Sequence, residues 1–204
     1  AAAGLTAGTI AVDGLSANND LGFSIVKYTG NSTSGATISH GLSAKPELIL
    51  IKGLDIDVSW IIYDTNINSV GYLDTTDSFA TSRLSWGFNS TAPTSSLITL
   101  GNNNGVNTDN MIAYCFASKR GVSKVGSYTG DGSTSNKVYT GFEPAFVLQK
   151  RTDNTSNWRI FDNVRGTEKE LYANANDAEP SDVAYIDFNR DGFTLTNNGA
   201  WING

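Results

Sequence analysis

The chain carries one nineteen-residue stretch twice, and this duplication limits the possible folds more than any other feature. PELILIKGLDIDVSWIIYD, from Pro46 to Asp64, lies over PAFVLQKRTDNTSNWRIFD, from Pro144 to Asp162, at a constant offset of 98. Seven of the nineteen positions are identical: Pro46/Pro144, Leu50/Leu148, Lys52/Lys150, Asp55/Asp153, Trp60/Trp158, Ile62/Ile160 and Asp64/Asp162. Each copy reads as a short apolar run, a polar turn, then a Trp-containing run, which is the pattern of a β-hairpin. The stretch therefore predicts a repeated domain built around that hairpin. Two units of roughly 95 residues divide the 204-residue chain, each large enough to bury a modest core.

The flanks extend the repeat. FSIVKYTGN, from Phe23, returns as VGSYTGD, from Val125, and Ala36–His40 returns as Asn136–Thr140. SLITL, from Ser96, matches GFTLT, from Gly192, at an offset of about 95. Short strands are also expected near Tyr72–Asp74, Ser82–Gly87, Leu171–Ala173 and Val183–Asp187. Gly, Ser, Thr and Asn dominate between them, and blocks of helix formers are missing. The fold expected is all-β: two tandem antiparallel β-sandwich repeats, jelly-roll or lectin-like, over 22–118 and 119–204. Residues 1–21, small and polar, read as a linker or stem that orders against neighbouring chains.

Alternation along Ser59–Asp64 puts Trp60, Ile62 and Asp64 on one face and Ile61 and Tyr63 on the other. The first set recurs as Trp158, Ile160 and Asp162. A retained face is most simply a core face, so both tryptophans, with Leu50 and Leu148, are expected inward. Asp64 and Asp162 end their strands, where a carboxylate accepts turn N–H groups.

The chemistry available is narrow. A net charge of −6 offers nucleic acid or an anionic membrane no basic patch, and no apolar run approaches membrane length. The lone histidine, His40, is replaced by Thr140 in the second copy, so it reads as structural rather than catalytic. The lone cysteine, Cys115, sits in MIAYCFA and reads as a small buried hydrophobe. Asp187–Gly192 matches half a calcium loop, but Asn198 stands where the bidentate Glu belongs, and the segment fits a hairpin equally. No catalytic residue, metal ligand or cofactor is assigned, and an enzyme is not expected. Exposed Asn side chains and an indole suit sugars, so Asn102, Asn103, Asn104 and Trp201, features the repeats do not share, are the candidate carbohydrate contacts. Trp86 is a weaker candidate, since Leu84, Trp86 and Phe88 alternate as a core face would.

The set Y-T-G-[ND], G-[LF]…P and K…W-x-[IV]-[YF]-D resembles a tandem repeat domain of unassigned function found in tail-fibre and other virion-surface proteins of marine tailed bacteriophages. The resemblance covers residues 22–204 and supplies no site residues. It implies a virion structural protein, a tail fibre or other appendage that self-associates as a homo-oligomer, meets other virion proteins and contacts host-surface glycans. A ligand-free spacer or capsid decoration, and a polysaccharide-degrading tailspike, are the alternatives. The first repeat ends in the strand MIAYCFA, whereas the second reaches NNGAWING without an equivalent. A final strand is therefore expected from continuing polypeptide, from the run Thr9–Val12, or from another subunit.

Overall fold

The computed structural model describes residues 6–180 and 184–204. The fold is all-β, with short antiparallel strands and a few single-turn helices. It divides into two compact units, the second of which takes Leu73–Ser78 from within the first repeat together with Arg120–Gly204.

In unit 1 the strands are β1 (Val12–Asn18), β2 (Phe23–Thr29), β3 (Thr37–Ser39), β4 (Leu48–Gly53), β5 (Ile61–Asp64), β6 (Ser69–Tyr72), β7 (Leu97–Thr99) and β8 (Asn110–Phe116). One sheet runs β1-β2-β8-β4-β5-β6, and β3 pairs with β7 in a second, two-stranded sheet. Helix α1 (Leu84–Phe88) and the single turn α2 (Asn104–Asn107) complete the unit. Where a strand is expected at Ser82–Gly87, the chain instead forms a 3-10 turn, Thr81–Arg83, running into α1. Leu84 and Phe88 are both buried, one helical turn apart. The apolar alternation therefore misleads by placing Trp86, half-buried, between them.

Cross-strand register fixes the faces, because directly paired residues share one. Ile49, Ile51, Ile61, Tyr63 and Val70 stand opposite Cys115, Ala113, Ile51, Ile49 and Tyr63 respectively, and all join one core with Ile38, Ile98, Leu100, Phe88 and Val106. Leu50 pairs with Ile62 and Tyr114 on the reverse face, where Trp60 lies against Tyr114 at 6.0 Å. The expectation that Trp60 and Leu50 point into the core is thus corrected. The retained face is the reverse face of the sheet.

The stem expected at residues 1–21 is also corrected where it is described. β1 pairs along β2 from Val12 to Asn18, with a bulge between Val12 and Gly14, and Ile10 is buried in the core. Thr9 and Thr37 exchange hydrogen bonds of 2.9 and 2.8 Å, and Ile10 N–H donates to the Thr37 carbonyl at 3.0 Å. A weak apolar pattern suffices here because the free edge of β2 supplies the pairing. Residues 1–5 of that stem lie outside the described residues.

Unit 2 holds β9 (Asn136–Tyr139), β10 (Phe146–Gln149), β11 (Arg159–Asp162), β12 (Leu171–Tyr172), β13 (Ile186–Asn189), β14 (Gly192–Leu195) and the turn α3 (Ala200–Asn203). Its sheets are β10-β11-β12 and β13-β14-β9. The first repeats β4-β5-β6: Leu148 pairs with Ile160 as Leu50 pairs with Ile62, and Arg159 with Tyr172 as Ile61 with Tyr72. The second repeats β3-β7, with Lys137 on Thr194 as Thr37 on Thr99. Phe161, Ile186, Phe193, Leu195 and Ile202 form the core, and the half-match to a calcium loop is the β13-β14 hairpin, with Phe188 paired to Phe193. Trp158, just before β11, is buried as expected, although it is not part of the Phe161 cluster.

Candidate functional site

Two arrangements distinguish the molecule. The first is a latch repeated in both units. The Tyr28 hydroxyl donates to the Val106 carbonyl at 2.5 Å, and the Tyr128 hydroxyl to the Ile202 carbonyl at 2.7 Å. Asn31 N–H donates to Asn107 Oδ1 at 2.9 Å, and Asp131 N–H to Asn203 Oδ1 at 3.1 Å. The Nδ2 groups of Asn107 and Asn203 donate back to the carbonyls of Thr33 and Ser133. Between tyrosine and asparagine sits a glycine with no room for a side chain. A Cβ at Gly30 would lie 2.2 Å from the Asn107 carbonyl carbon, and one at Gly130 2.7 Å from that of Asn203. The Y-T-G-[ND] motif is therefore the receiving half of a clasp that closes on a one-turn helix.

This places the sequence candidates. Asn102 and Asn104 are exposed. Asn103 caps α2, its Oδ1 accepting from Gly105 N–H at 2.7 Å, and Asn104 Oδ1 accepts from the Thr108 hydroxyl at 3.4 Å. Trp201 lies in α3, the counterpart of α2, at the position Gly105 holds in unit 1. The asparagine run and Trp201 therefore belong to one shared element in two different units, not to features private to each repeat. Trp86 is half-buried against the unit 1 core, its carbonyl accepting from Asn103 N–H at 3.1 Å.

The second arrangement is private to unit 2. Three core-facing positions change together between the repeats: Ile51, Ile61 and Val70 become Gln149, Arg159 and Glu170, all buried. Arg159 Nη1 is ion-paired with Glu170 Oε2, their side chains 8% and 1% exposed. The guanidinium carbon also lies 5.3, 5.5 and 5.7 Å from the ring centres of Tyr172, Tyr185 and Trp201. Tyr172 donates to Glu170 Oε1 at 2.7 Å, and burial, reinforced by that carboxylate, pushes its hydroxyl up to about 12. Arg159 Nε and Gln149 Oε1 are buried with no hydrogen-bond partner among the described residues.

Trp201, at the outer end of this cluster, is 44% exposed. Beside it, Arg151 Nη1 donates to the Ala200 carbonyl at 2.6 Å, and the same guanidinium grips Asp153 through Nε at 2.7 Å and Nη2 at 3.2 Å. That fork holds the Asp153 carboxyl below its usual range. The site thus combines an accessible indole with a preformed pair of polar donors and acceptors. Reading retained positions as the informative ones hid Arg159, Glu170 and Arg151. The joint loss of three apolar residues at core positions is the signal that finds Arg159 and Glu170, whereas Arg151, which stands where the first copy has Gly53, carries no such signal.

The remaining candidates behave as ordinary structure. His40 is fully buried, Nδ1 accepting from Leu42 N–H at 3.2 Å and Nε2 facing the Thr94 carbonyl at 3.3 Å, and burial lowers its pKa. Thr140 takes its place in unit 2 by accepting from Phe142 N–H at 3.4 Å. Burial pushes the Cys115 thiol up to about 12. Asp64 Oδ1 accepts from Asn66 N–H at 2.8 Å, and Asp162 Oδ1 from Arg165 N–H at 2.9 Å, closing the turns these carboxylates end. Lys150 Nζ donates to the carbonyls of Arg151 and Asn154 at 2.6 and 3.4 Å, and Lys52 Nζ to that of Val58, which accounts for a lysine in both hairpins. No helix among the described residues is long and apolar enough to cross a membrane.

Two copies of one β-sheet unit, each clasping a one-turn helix beneath a Tyr-Thr-Gly segment, define a tandem-repeat all-β protein. The chain belongs to the family described as a domain of unknown function, DUF7483, whose model matches residues 1–204. No curated protein and no solved structure matches it.

Proposed function

We propose that the chain is a structural module of a bacteriophage surface appendage, a tail fibre or its equivalent, and that unit 2 contacts host-surface glycans. The observation that carries the glycan reading is the half-exposed Trp201, held over Arg159 and flanked by the Arg151–Asp153 fork. A pyranose ring presents a C–H face that stacks on an indole, and its hydroxyls pair with a carboxylate and guanidinium fixed in advance. The buried pair beneath costs the unit desolvation energy, and fixing the orientation of Trp201 is a use that offsets it. The virion setting rests on the motif resemblance of both repeats, and a self-associating, low-charge β module suits repetitive display.

The test is a host-glycan array with the 204-residue protein, then titration of any retained glycan against Trp201→Ala and Asp153→Asn. About tenfold or greater weakening in both, with unit 2 still folded by amide exchange, supports the site. A protein that retains no glycan favours the ligand-free spacer. New reducing ends released from host polysaccharide favour the tailspike. Failure of antibodies against the chain to label virions overturns the setting.

A further inference from the structure

The two units differ at one place in their sheets. In unit 1, β8 lies between β2 and β4, pairing with β2 from Phe116 on Phe23 to Asn110 on Thr29, and with β4 from Phe116 on Leu48 to Met111 on Gly53. Its inward residues Met111, Ala113 and Cys115 are fully buried. Every neighbour of β8 recurs in unit 2. Residues 125–129 stand for β2, β10 for β4, and α3 for α2, clasped by matching hydrogen bonds. A strand between them does not recur among the described residues.

The surroundings register the difference. β10 pairs with β11 alone, and residues 125–129 form no strand although they carry the same Tyr-Thr motif. Ile49 and Tyr28 are fully buried, whereas Val147 and Tyr128 at the same positions are half-buried. Phe146, where unit 1 has the half-buried Leu48, is 59% exposed. An unpaired strand edge beside apolar side chains is the template on which strand addition works. The run Thr9–Val12 is engaged elsewhere, since Val12 pairs with Tyr28 and Ile10 is bonded to Thr37.

We propose that unit 2 is a strand acceptor: the space between residues 125–129 and β10 takes an extended segment of about seven residues, antiparallel to both, with small or apolar side chains at alternate positions. Its occupant is a strand with the chemistry of β8, because the walls that hold β8 in unit 1, β2 and β4, have their counterparts here in residues 125–129 and β10. Inward positions take the pattern of Met111, Ala113 and Cys115, since Val147 and Phe161 hold the register positions of Ile49 and Tyr63.

The experiment appends DNMIAYCFA, residues 109–117 of this chain, after Gly204, so that Gly204 stands where Thr108 does. Amide exchange in residues 125–129 and 146–149 is expected to slow by about tenfold or more relative to the 204-residue protein. An appended strand with Asp at the three positions copied from Met111, Ala113 and Cys115 should give no such slowing. Equal protection by both extensions, or by neither, overturns the proposal. So does a monomeric 204-residue protein whose residues 146–149 are already protected as well as β4. Protection of the 204-residue protein that rises with concentration and tracks a dimer supports the acceptor and assigns its strand to a second copy.

Discussion

Replacing Glu170 with Gln removes the counter-ion of a guanidinium whose side chain is 8% exposed, leaving the charge among Tyr172, Tyr185 and Trp201. Breaking such a pair costs about 3–5 kcal/mol, because the surviving charge keeps its desolvation penalty and loses its partner. Aromatic faces return part of that, on the order of 1–2 kcal/mol, so a net loss of about 1–4 kcal/mol is expected. Unit 1 supplies the apolar alternative at the same positions, Ile61 and Val70, exposed by 3% and 0%. Arg159→Ile with Glu170→Val should therefore restore wild-type stability or exceed it by about 1–4 kcal/mol, although each single change destabilises. Guanidinium unfolding, with amide exchange of β10 and β11 reporting on unit 2, gives all four corners of the cycle. Singles that add to give the double, or a Glu170→Gln loss below about 1 kcal/mol, would refute a desolvated pair. The double variant also frees Trp201 from the guanidinium, so weaker glycan retention in a more stable protein would separate the site's binding role from its folding role.

Asn107→Ala deletes three hydrogen bonds, from Asn31 N–H at 2.9 Å and to the carbonyls of Thr33 and Gly101 at 3.0 and 2.7 Å, and should cost unit 1 about 2–4 kcal/mol in denaturant unfolding. Gly30→Ala drives a Cβ to 2.2 Å from backbone atoms of Asn107 and Thr108, so it should lower the melting temperature of unit 1 at least as far. His40 is held neutral by burial, so its folded pKa lies below the unfolded value of about 6.5. The unfolded chain then binds the extra proton, and the stability of unit 1 should fall as pH drops from about 7 towards 5, a slope that His40→Thr flattens. Cys115, buried and pushed up to about 12, should resist alkylation at pH 8 in the folded protein and react fully in denaturant.

The hairpins were legible because their signal is local: apolar alternation, a polar turn, and an Asp whose side chain closes the next turn. Which face of a hairpin points inward was not legible from the comparison of the two copies. Identity marked Trp60, Ile62 and Asp64, but these residues serve strand pairing and the turn on the reverse face. The core face changed in concert, Ile61 to Arg159 with Val70 to Glu170, since a buried charge is tolerated when its counter-ion arrives with it. Residues 1–21 misled for the opposite reason. A weakly patterned segment becomes a strand when a neighbouring edge offers it a ladder, and that edge is set by β2 far more than by the composition of β1.

The Tyr-Thr-Gly segments separate two things that a sequence encodes with different completeness. Tyr28 and Tyr128 reach a carbonyl of their one-turn helices, and Gly30 and Gly130 both admit those helices closer than a Cβ would allow. The clasp therefore forms in both units, because both of its halves are written in the chain. The strand does not follow from the same residues. In unit 1, residues 23–29 lie between β1 and β8 and are paired along their length, whereas residues 125–129 form no strand. Since the clasp holds without the ladder, it can fix Tyr128 and α3 before a strand arrives. An acceptor whose far wall is already latched loses less conformational entropy on closing than one that must order both walls at once.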